Sequence, residues 1–508
     1  MDLKCQGLVL VVGLVLGLVA TDQGSTESSR LSARSYDYGN ALKKAILFFE
    51  GQRSGKLPSK QRVEWRGDSA LTDGQQDKVK LVGGYYDAGD NVKFVWPMSF
   101  TITLLSWVGI EFREQVSYAG QLGHLRTAVR WGAKFLLRAH TSPTVLYTQV
   151  GDGSTDHQCW ERPEDMDTPR TLYKITADSP GTEAAADAAA ALASASMVFR
   201  SDNSTYWSKL LNRSKLLFEF ANDYRGSYQA SCPFYCSFSG YQDELLWAAA
   251  WLFKATNDAK YQKFVLENIE WSRSVSEFSW DNKYIGAQVL LAKEYLAGNK
   301  NLRKYKTDAD AFVCSLMPNS GSVQIQTTPG GLLFTRDTAN LQYVTTAALV
   351  LFVYSKTLKS AGLDGVQCNS ANFSATQIRA FAKSQVDYIL GNNPLNFSYM
   401  VGYGNAYSKR IHHRGASIPS INVLPRKVSC KEGFSTWFPT NDPNPNTHVG
   451  AIVGGPDSND RFNDVRSDSS HLEPTTYINA AFVGAAAALI EEQCFLRQPF
   501  RSSAVASE

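Results

Sequence analysis

The chain is short of several things at once. Charge is thin and balanced: in 508 residues, 51 Lys+Arg face 48 Asp+Glu for a net +3, and charged residues make only 19%. That balance argues against a nucleic-acid footprint, which needs a clustered basic excess. With 44% hydrophobic residues it also excludes a disordered chain. Cysteine and histidine number eight and seven, with no CxxC and no His-x-x-x-His, so a structural zinc site is not expected. No apolar run reaches the about 20 residues of a membrane span. Gly7–Ala20 and Ala480–Ile490 are the long ones. There is no Ser/Pro/Thr-rich linker, no repeat period, and few segments alternate as strands do. Aromatics, by contrast, are plentiful at 12%. They serve a large core or offer flat faces to a ring-shaped ligand.

Lys4 followed by the apolar run, with Ala20 before Thr21-Asp22-Gln23, reads as a cleaved secretory signal over residues 1–24. Sequons at Asn203, Asn212, Asn372 and Asn396 agree with export and glycosylation. Beyond the signal, Cys159, Cys232, Cys236, Cys314, Cys368, Cys430 and Cys494 make an odd set. At least one is unpaired or pairs outside the chain, and spacing leaves the connectivity open.

Helical periodicity dominates the rest. Twelve segments carry it, near 37–51, 100–118, 122–140, 181–200, 204–222, 241–256, 258–274, 282–297, 299–317, 336–360, 374–391 and 475–492. Asp37 suits an N-cap and Gly51 a stop. Ala-rich or wholly apolar segments (181–200, 241–256, 282–297) alternate with amphipathic ones, as in two concentric helical layers. The expected fold is all-α: six helical hairpins closed into an (α/α)6 barrel. It forms one domain over 25–495, with a short tail at 496–508. Three long connections, 51–99, 141–180 and 392–473, are where function is expected.

Four constellations lie there. Asp87 and Asp90, in Tyr85-Tyr86-Asp87-Ala88-Gly89-Asp90, can point into one cavity and take a proton from water. An Asx-turn is the structural alternative. Asp464 in Phe462-Asn463-Asp464 is followed nine residues on by Glu473-Pro474, with Pro474 suited to the first turn of the last helix. There Glu473 is either a helix-start carboxylate or, with another carboxylate close by, an acid of raised pKa. His412-His413-Arg414, after the Gly-rich Ser398–Gly404, offers donors to sugar hydroxyls, with metal ligation as the competitor. His157-Gln-Cys-Trp160 offers an aromatic face for a sugar or a plug for the barrel rim. Asp90 and Glu473 lie 383 residues apart (473 − 90). Only a closed fold unites them, and two carboxyls across an aromatic cleft is what glycoside hydrolysis needs.

These stretches, with Thr328-Pro-Gly-Gly-Leu-Leu333 and Glu473-Pro-Thr-Thr-Tyr-Ile-Asn479, strongly resemble glycoside hydrolase family 9, and within it the secreted plant endo-β-1,4-glucanases. The resemblance implies the same barrel and an inverting mechanism. Asp90 would be the general base, Asp87 its partner in positioning water, and Glu473 the general acid. Asp464 and His412 match further active-site positions. Arg414 would contact substrate, and Trp160 and His157 are expected to do so from their own residue chemistry. It implies a monomer acting on a β-1,4-glucan, without cofactor or metal, nucleic acid or mature membrane contact, outside the cell. Three positions depart from the family pattern. Ser469 stands where an aromatic is usual, Thr338 where many relatives have Trp, and Ala406 where a basic residue or Asn is frequent. Ser469 and Thr338 motivate one rival, a weakly active or non-catalytic glucan-binding protein. Another is a lyase on the same barrel.

Overall fold

The structure, a computed structural model, describes residues 36–201 and 204–490. The expected signal segment and tail, with Cys5, Asn203 and Cys494, lie outside them. Twelve helices of nine residues or more organise the described chain. They are α1 (Tyr38–Gly51), α2 (Val95–Glu111), α3 (Leu122–Ala139), α4 (Thr182–Phe199), α5 (Ser204–Asp223) and α6 (Gln242–Thr256), then α7 (Ala259–Glu267), α8 (Tyr284–Leu296), α9 (Arg303–Leu316), α10 (Leu341–Ser360), α11 (Ala375–Leu390) and α12 (Thr476–Ala488). The six even-numbered helices close a ring: each touches the next, and α12 returns to α2. The odd-numbered helices pack outside, α1 on α12, α3 on α2, α5 on α4, α7 on α6, α9 on α8 and α11 on α10. This is the (α/α)6 barrel.

The layering follows from side-chain size. All of α12 and nearly all of α4 and α2 are buried, so no polar stripe is available to face water. Alanine and glycine let these inner helices approach: a Cβ on Gly484 would stand 2.5 Å from Leu349 and 2.8 Å from Val108. Outer helices such as α3 bury one face only.

Expected boundaries shift for local reasons. Asp37 caps α1 by accepting the Asn40 N–H at 2.9 Å. Gly51 is that helix's last residue, and packing demands it: a Cβ would lie 2.3 Å from the His448 ring. α2 starts five residues early because Pro97 fits a first turn, where its missing N–H has no partner to lose. Phe112 then separates it from a short helix, Arg113–Tyr118. α7 ends at Glu267, where the Asn268 side chain donates to the Phe264 carbonyl. α10 starts only at Leu341, because Ala339 adopts a left-handed backbone (φ 50°) and the Asn340 amide orders the loop before it.

Regular strands are few. The largest sheet is antiparallel, from β1 (Lys93–Phe94), β2 (His140–Ser142), β3 (Val145–Val150) and β4 (Leu172–Ile175). β3 pairs with each of the others, Phe94 opposite Gln149, which places segment 151–157 beside the start of α2. Disulfides join Cys159–Cys430, Cys232–Cys236 and Cys314–Cys368, which accounts for every cysteine among the described residues. Asn212, Asn372 and Asn396 are exposed. No helix among the described residues is long and apolar enough to cross a membrane.

Candidate active site

The Asp87–Asp90 turn is held from several sides. The Asp87 N–H donates to the Val92 carbonyl, and the Asp87 carbonyl accepts the first N–H of α12, from Thr476. Gln52 donates to the carbonyls of Tyr86 and Ala88, and the rings of His413 and His448 both meet its Oε1. Gly89 is the pivot. Its N–H donates to Glu473 Oε1 at 2.9 Å, and its carbonyl accepts from the Arg414 backbone N–H and guanidinium. A Cβ here would stand 2.1 Å from the His412 carbonyl, so only glycine allows the approach. One backbone position thus brings the two ends of the chain together.

Pro474 is not in the first turn of the last helix: Thr475 is the N-cap of α12, so Pro474 and Glu473 precede it. Glu473 takes its hydrogen bond from Gly89, not from α12. Its carboxyl is raised above the ordinary value, chiefly by withdrawal from water. Asp90 is pushed up to about 7 by burial first, then by the Asp156 charge. Asp87 is raised further, by burial and by Asp90, against a hydrogen bond from the Tyr235 hydroxyl to its Oδ2. Asp87 Oδ1 and Asp90 Oδ1 are buried without a protein partner. Three carboxyls in one dry corner cannot all ionise cheaply, so the corner retains protons near neutrality.

The corner opens into a cleft of about 390 Å³. Asp87, Asp90, Glu473 and His157 line it, with rings from Phe94, Phe234, Tyr235, Trp280, Tyr343 and Tyr477. His157 fits a ligand contact: its side chain is 38% exposed, lies on Phe234 and is oriented by the Gly153 carbonyl. Ser469 and Thr338 line the same cleft, and Ala406 does not.

Trp160 and Arg414 do not meet the substrate-contact expectation. Trp160 is 2% exposed, donates to Ser417 Oγ, and sits among His412, Phe434 and Phe438 as a plug. Arg414, also 2% exposed, spends its donors on the carbonyls of Cys159, Gly89 and Asp156 and on Asp156 Oδ2 at 3.2 Å. It braces the turn from behind. His412 is half-buried and is not among the residues that line the cleft; its backbone carbonyl lies against Gly89. A carbonyl can only accept, so its Nδ1 carries the hydrogen donated to the Arg466 carbonyl (2.8 Å). Burial holds its pKa down at about 4, so the ring is neutral and Nε2 is an acceptor. Asp464 lines no part of the cleft. Its carboxylate accepts from Ser408 Oγ and the N–H groups of Lys409 and Arg410, anchoring the strip that leads to His412.

Sequence reasoning passed over Tyr235, Tyr477 and Asp156. The Cys232–Cys236 spacing around Phe234-Tyr235 marked a tight loop, and Tyr477 lies four residues after Glu473. Among the described residues two clusters have metal-like spacing. Cys159, Glu161 and Cys430 include two disulfide-bonded sulfurs, which cannot act as thiolate ligands. Asp90, Asp156 and His157 include a carboxylate already paired with Arg414.

A six-hairpin barrel with paired carboxyls and aromatic walls at one mouth defines a hydrolase of glycosidic bonds. The profile of glycosyl hydrolase family 9 matches residues 38–486, and the chain belongs to that family. It is 69% identical over 460 residues to "Endoglucanase 20" of Oryza sativa subsp. japonica, spanning 90% of this chain and 89% of that protein. It is 63% identical to an endoglucanase of Phaseolus vulgaris, over 93% and 95% of the two chains. Among solved structures, the endoglucanase of the termite Nasutitermes takasagoensis superposes with a TM-score of 0.80 at 40% identity, covering 91% of this chain and 100% of that one. The cellulase Cel9M of C. cellulolyticum, solved with cellobiose, gives 0.77 at 30% identity, over 90% and 99%.

Proposed function

We infer that this chain is an endo-1,4-β-glucanase that hydrolyses internal β-1,4 bonds of cellulose and related glucans with inversion. The observation that carries the reading is the Gly89 N–H bond to Glu473, which sets a carboxyl of raised pKa against the Asp87–Asp90 pair at the cleft floor. A water held by the unpartnered Asp87 and Asp90 oxygens attacks the anomeric carbon. Asp90 takes the water's proton as its oxygen bonds to that carbon. The bond to the leaving oxygen breaks, and Glu473 gives that oxygen its proton. His412 Nε2 accepts from a sugar hydroxyl, and the rings of Trp280, Phe234 and Tyr343 give apolar faces to the chain. His157 contacts the sugar. Arg414, Trp160 and Asp464 position these groups without touching substrate. Work as a monomer, export to the cell wall and glycosylation at exposed sequons belong to the same reading. Three disulfides support an oxidising compartment.

The test is the anomer first released from a soluble cello-oligosaccharide, followed by NMR. The α-anomer is expected. The β-anomer would refute inversion, an unsaturated sugar would point to a lyase, and absence of new reducing ends would point to a binding protein.

A further inference from the structure

A second cavity, of about 710 Å³, shares no lining residue with the cleft. It lies between the exposed face of α3 and the loop before β1. Lys56, Lys78, Lys80, Lys134 and Arg138 line it. The four lysines are exposed, and their ammonium groups have no hydrogen-bond or ion-pair partner among the described residues. In a chain with 51 basic and 48 acidic residues, this is a strong local excess. The one acid in the lining, Asp73, is buried and already answered by two cations, Lys93 Nζ at 2.6 Å and Arg170 Nε at 2.9 Å. Beneath the lysines the net charge is therefore positive too. The floor is apolar, from Val79, Phe135 and Trp131, whose indole N–H is taken by the Gly84 carbonyl. The volume is within the about 300–1,000 Å³ of ordinary ligand sites.

We propose that this groove binds a carboxylated polysaccharide, a run of uronic-acid residues. Five cations in one groove complement a chain with one carboxylate per sugar, and the apolar floor matches the C–H faces of the rings. A neutral glucan would leave the lysines unanswered. Val82, Gly83 and Gly84 in the groove wall run directly into Tyr85 and the catalytic turn, so the anchored enzyme presents its cleft beside the bound chain.

The experiment compares the wild type with the triple variant Lys78→Glu, Lys80→Glu, Lys134→Glu. None of these residues lines the cleft, so turnover of neutral cellopentaose should be unchanged, which also reports folding and reads the hydrolase assignment separately. Binding to de-esterified polygalacturonate, measured by affinity electrophoresis, should weaken about tenfold or more in the variant. Wild-type binding should fall steeply between about 50 and 500 mM salt. Equal binding by the two proteins, no binding by the wild type, or equal binding of fully methyl-esterified pectin would overturn the proposal. So would duplex DNA held as tightly as polygalacturonate.

Discussion

Asp156 offers the sharpest lever on the reaction, because it acts on Asp90 through space and lies behind the cleft. One carboxylate oxygen of Asp90 lies within 4.8 Å of one of Asp156. At that distance, with an effective dielectric of about 20, one charge contributes roughly 3.5 kcal/mol. That corresponds to about 2.5 pK units at 1.36 kcal/mol each. Arg414 at 3.2 Å offsets part of it, and water in the cleft screens more. Asp156→Asn should therefore lower the Asp90 pKa from about 7 by roughly 1–2 units. The sign follows from the charge removed: without an anion beside it, ionised Asp90 becomes easier to form. The base is then ready at lower pH, and the ascending limb of kcat/KM moves down the pH scale by that amount. Arg414 keeps its carbonyl partners, so the variant should fold, and a thermal melt checks this. A folded variant whose limb stays within about 0.3 unit of the wild type, or moves up, would refute the electrostatic account.

Three other outcomes are expected. Glu473→Gln retains an oxygen for the Gly89 N–H but has no carboxyl proton, so kcat on cello-oligosaccharides should fall about 10²–10⁴-fold with the melt unchanged; activity within about threefold would remove Glu473 from the acid role. Asp90→Asn should be inactive yet more stable at high pH. Asp90 is neutral in both states below pH 3.8, and as pH climbs towards about 7 the unfolded chain ionises first, so folding stability is lost across that window; denaturant unfolding should show the variant gaining up to about 4 kcal/mol at pH 8 and nothing near pH 3.5. Ser469→Tyr places a ring on an exposed position of the cleft wall and should raise kcat/KM on one soluble cello-oligosaccharide by a factor worth about 1–2 kcal/mol; an unchanged value in a folded variant would make the serine neutral.

The barrel was legible because burial leaves a record in composition. An inner helix such as α4, TEAAADAAAALASASMVF, has no polar stripe, and an outer one such as α3 has a clear one, so alternation alone implies two layers. Boundaries were less legible. Ala339 turns left-handed against its local preference because its N–H is held by the Ser470 carbonyl, a contact between residues 131 positions apart. The carboxyls of the cleft were readable as a pair because Asp87-Ala-Gly-Asp90 is compact. The roles of Arg414 and Trp160 were not, because a guanidinium or an indole is equally suited to sugar hydroxyls and to backbone carbonyls. Which it meets depends on neighbours far along the chain, here Cys159, Gly89 and Ser417.

That difference explains why a motif can be right about location and wrong about contact. Glu473 and the Gly89 turn must be aligned across a separation of nearly the whole chain, and residues near either one in sequence cannot hold them. The His412–Arg414 segment does this work. The His412 carbonyl fills the space that a side chain on Gly89 would need, and the Leu472 carbonyl accepts the His412 N–H. Arg414 ties the Gly89 carbonyl to Asp156. Asp464 anchors the strip just upstream, at 408–410. A shorter or differently charged side chain at such a position would move the carboxyls relative to each other. Asp464 should therefore affect rate through geometry. In that case Asp464→Asn, which keeps one acceptor for Ser408 Oγ and the Arg410 N–H, should lose less activity than Asp464→Ala, a graded response that a proton-transferring aspartate would not give.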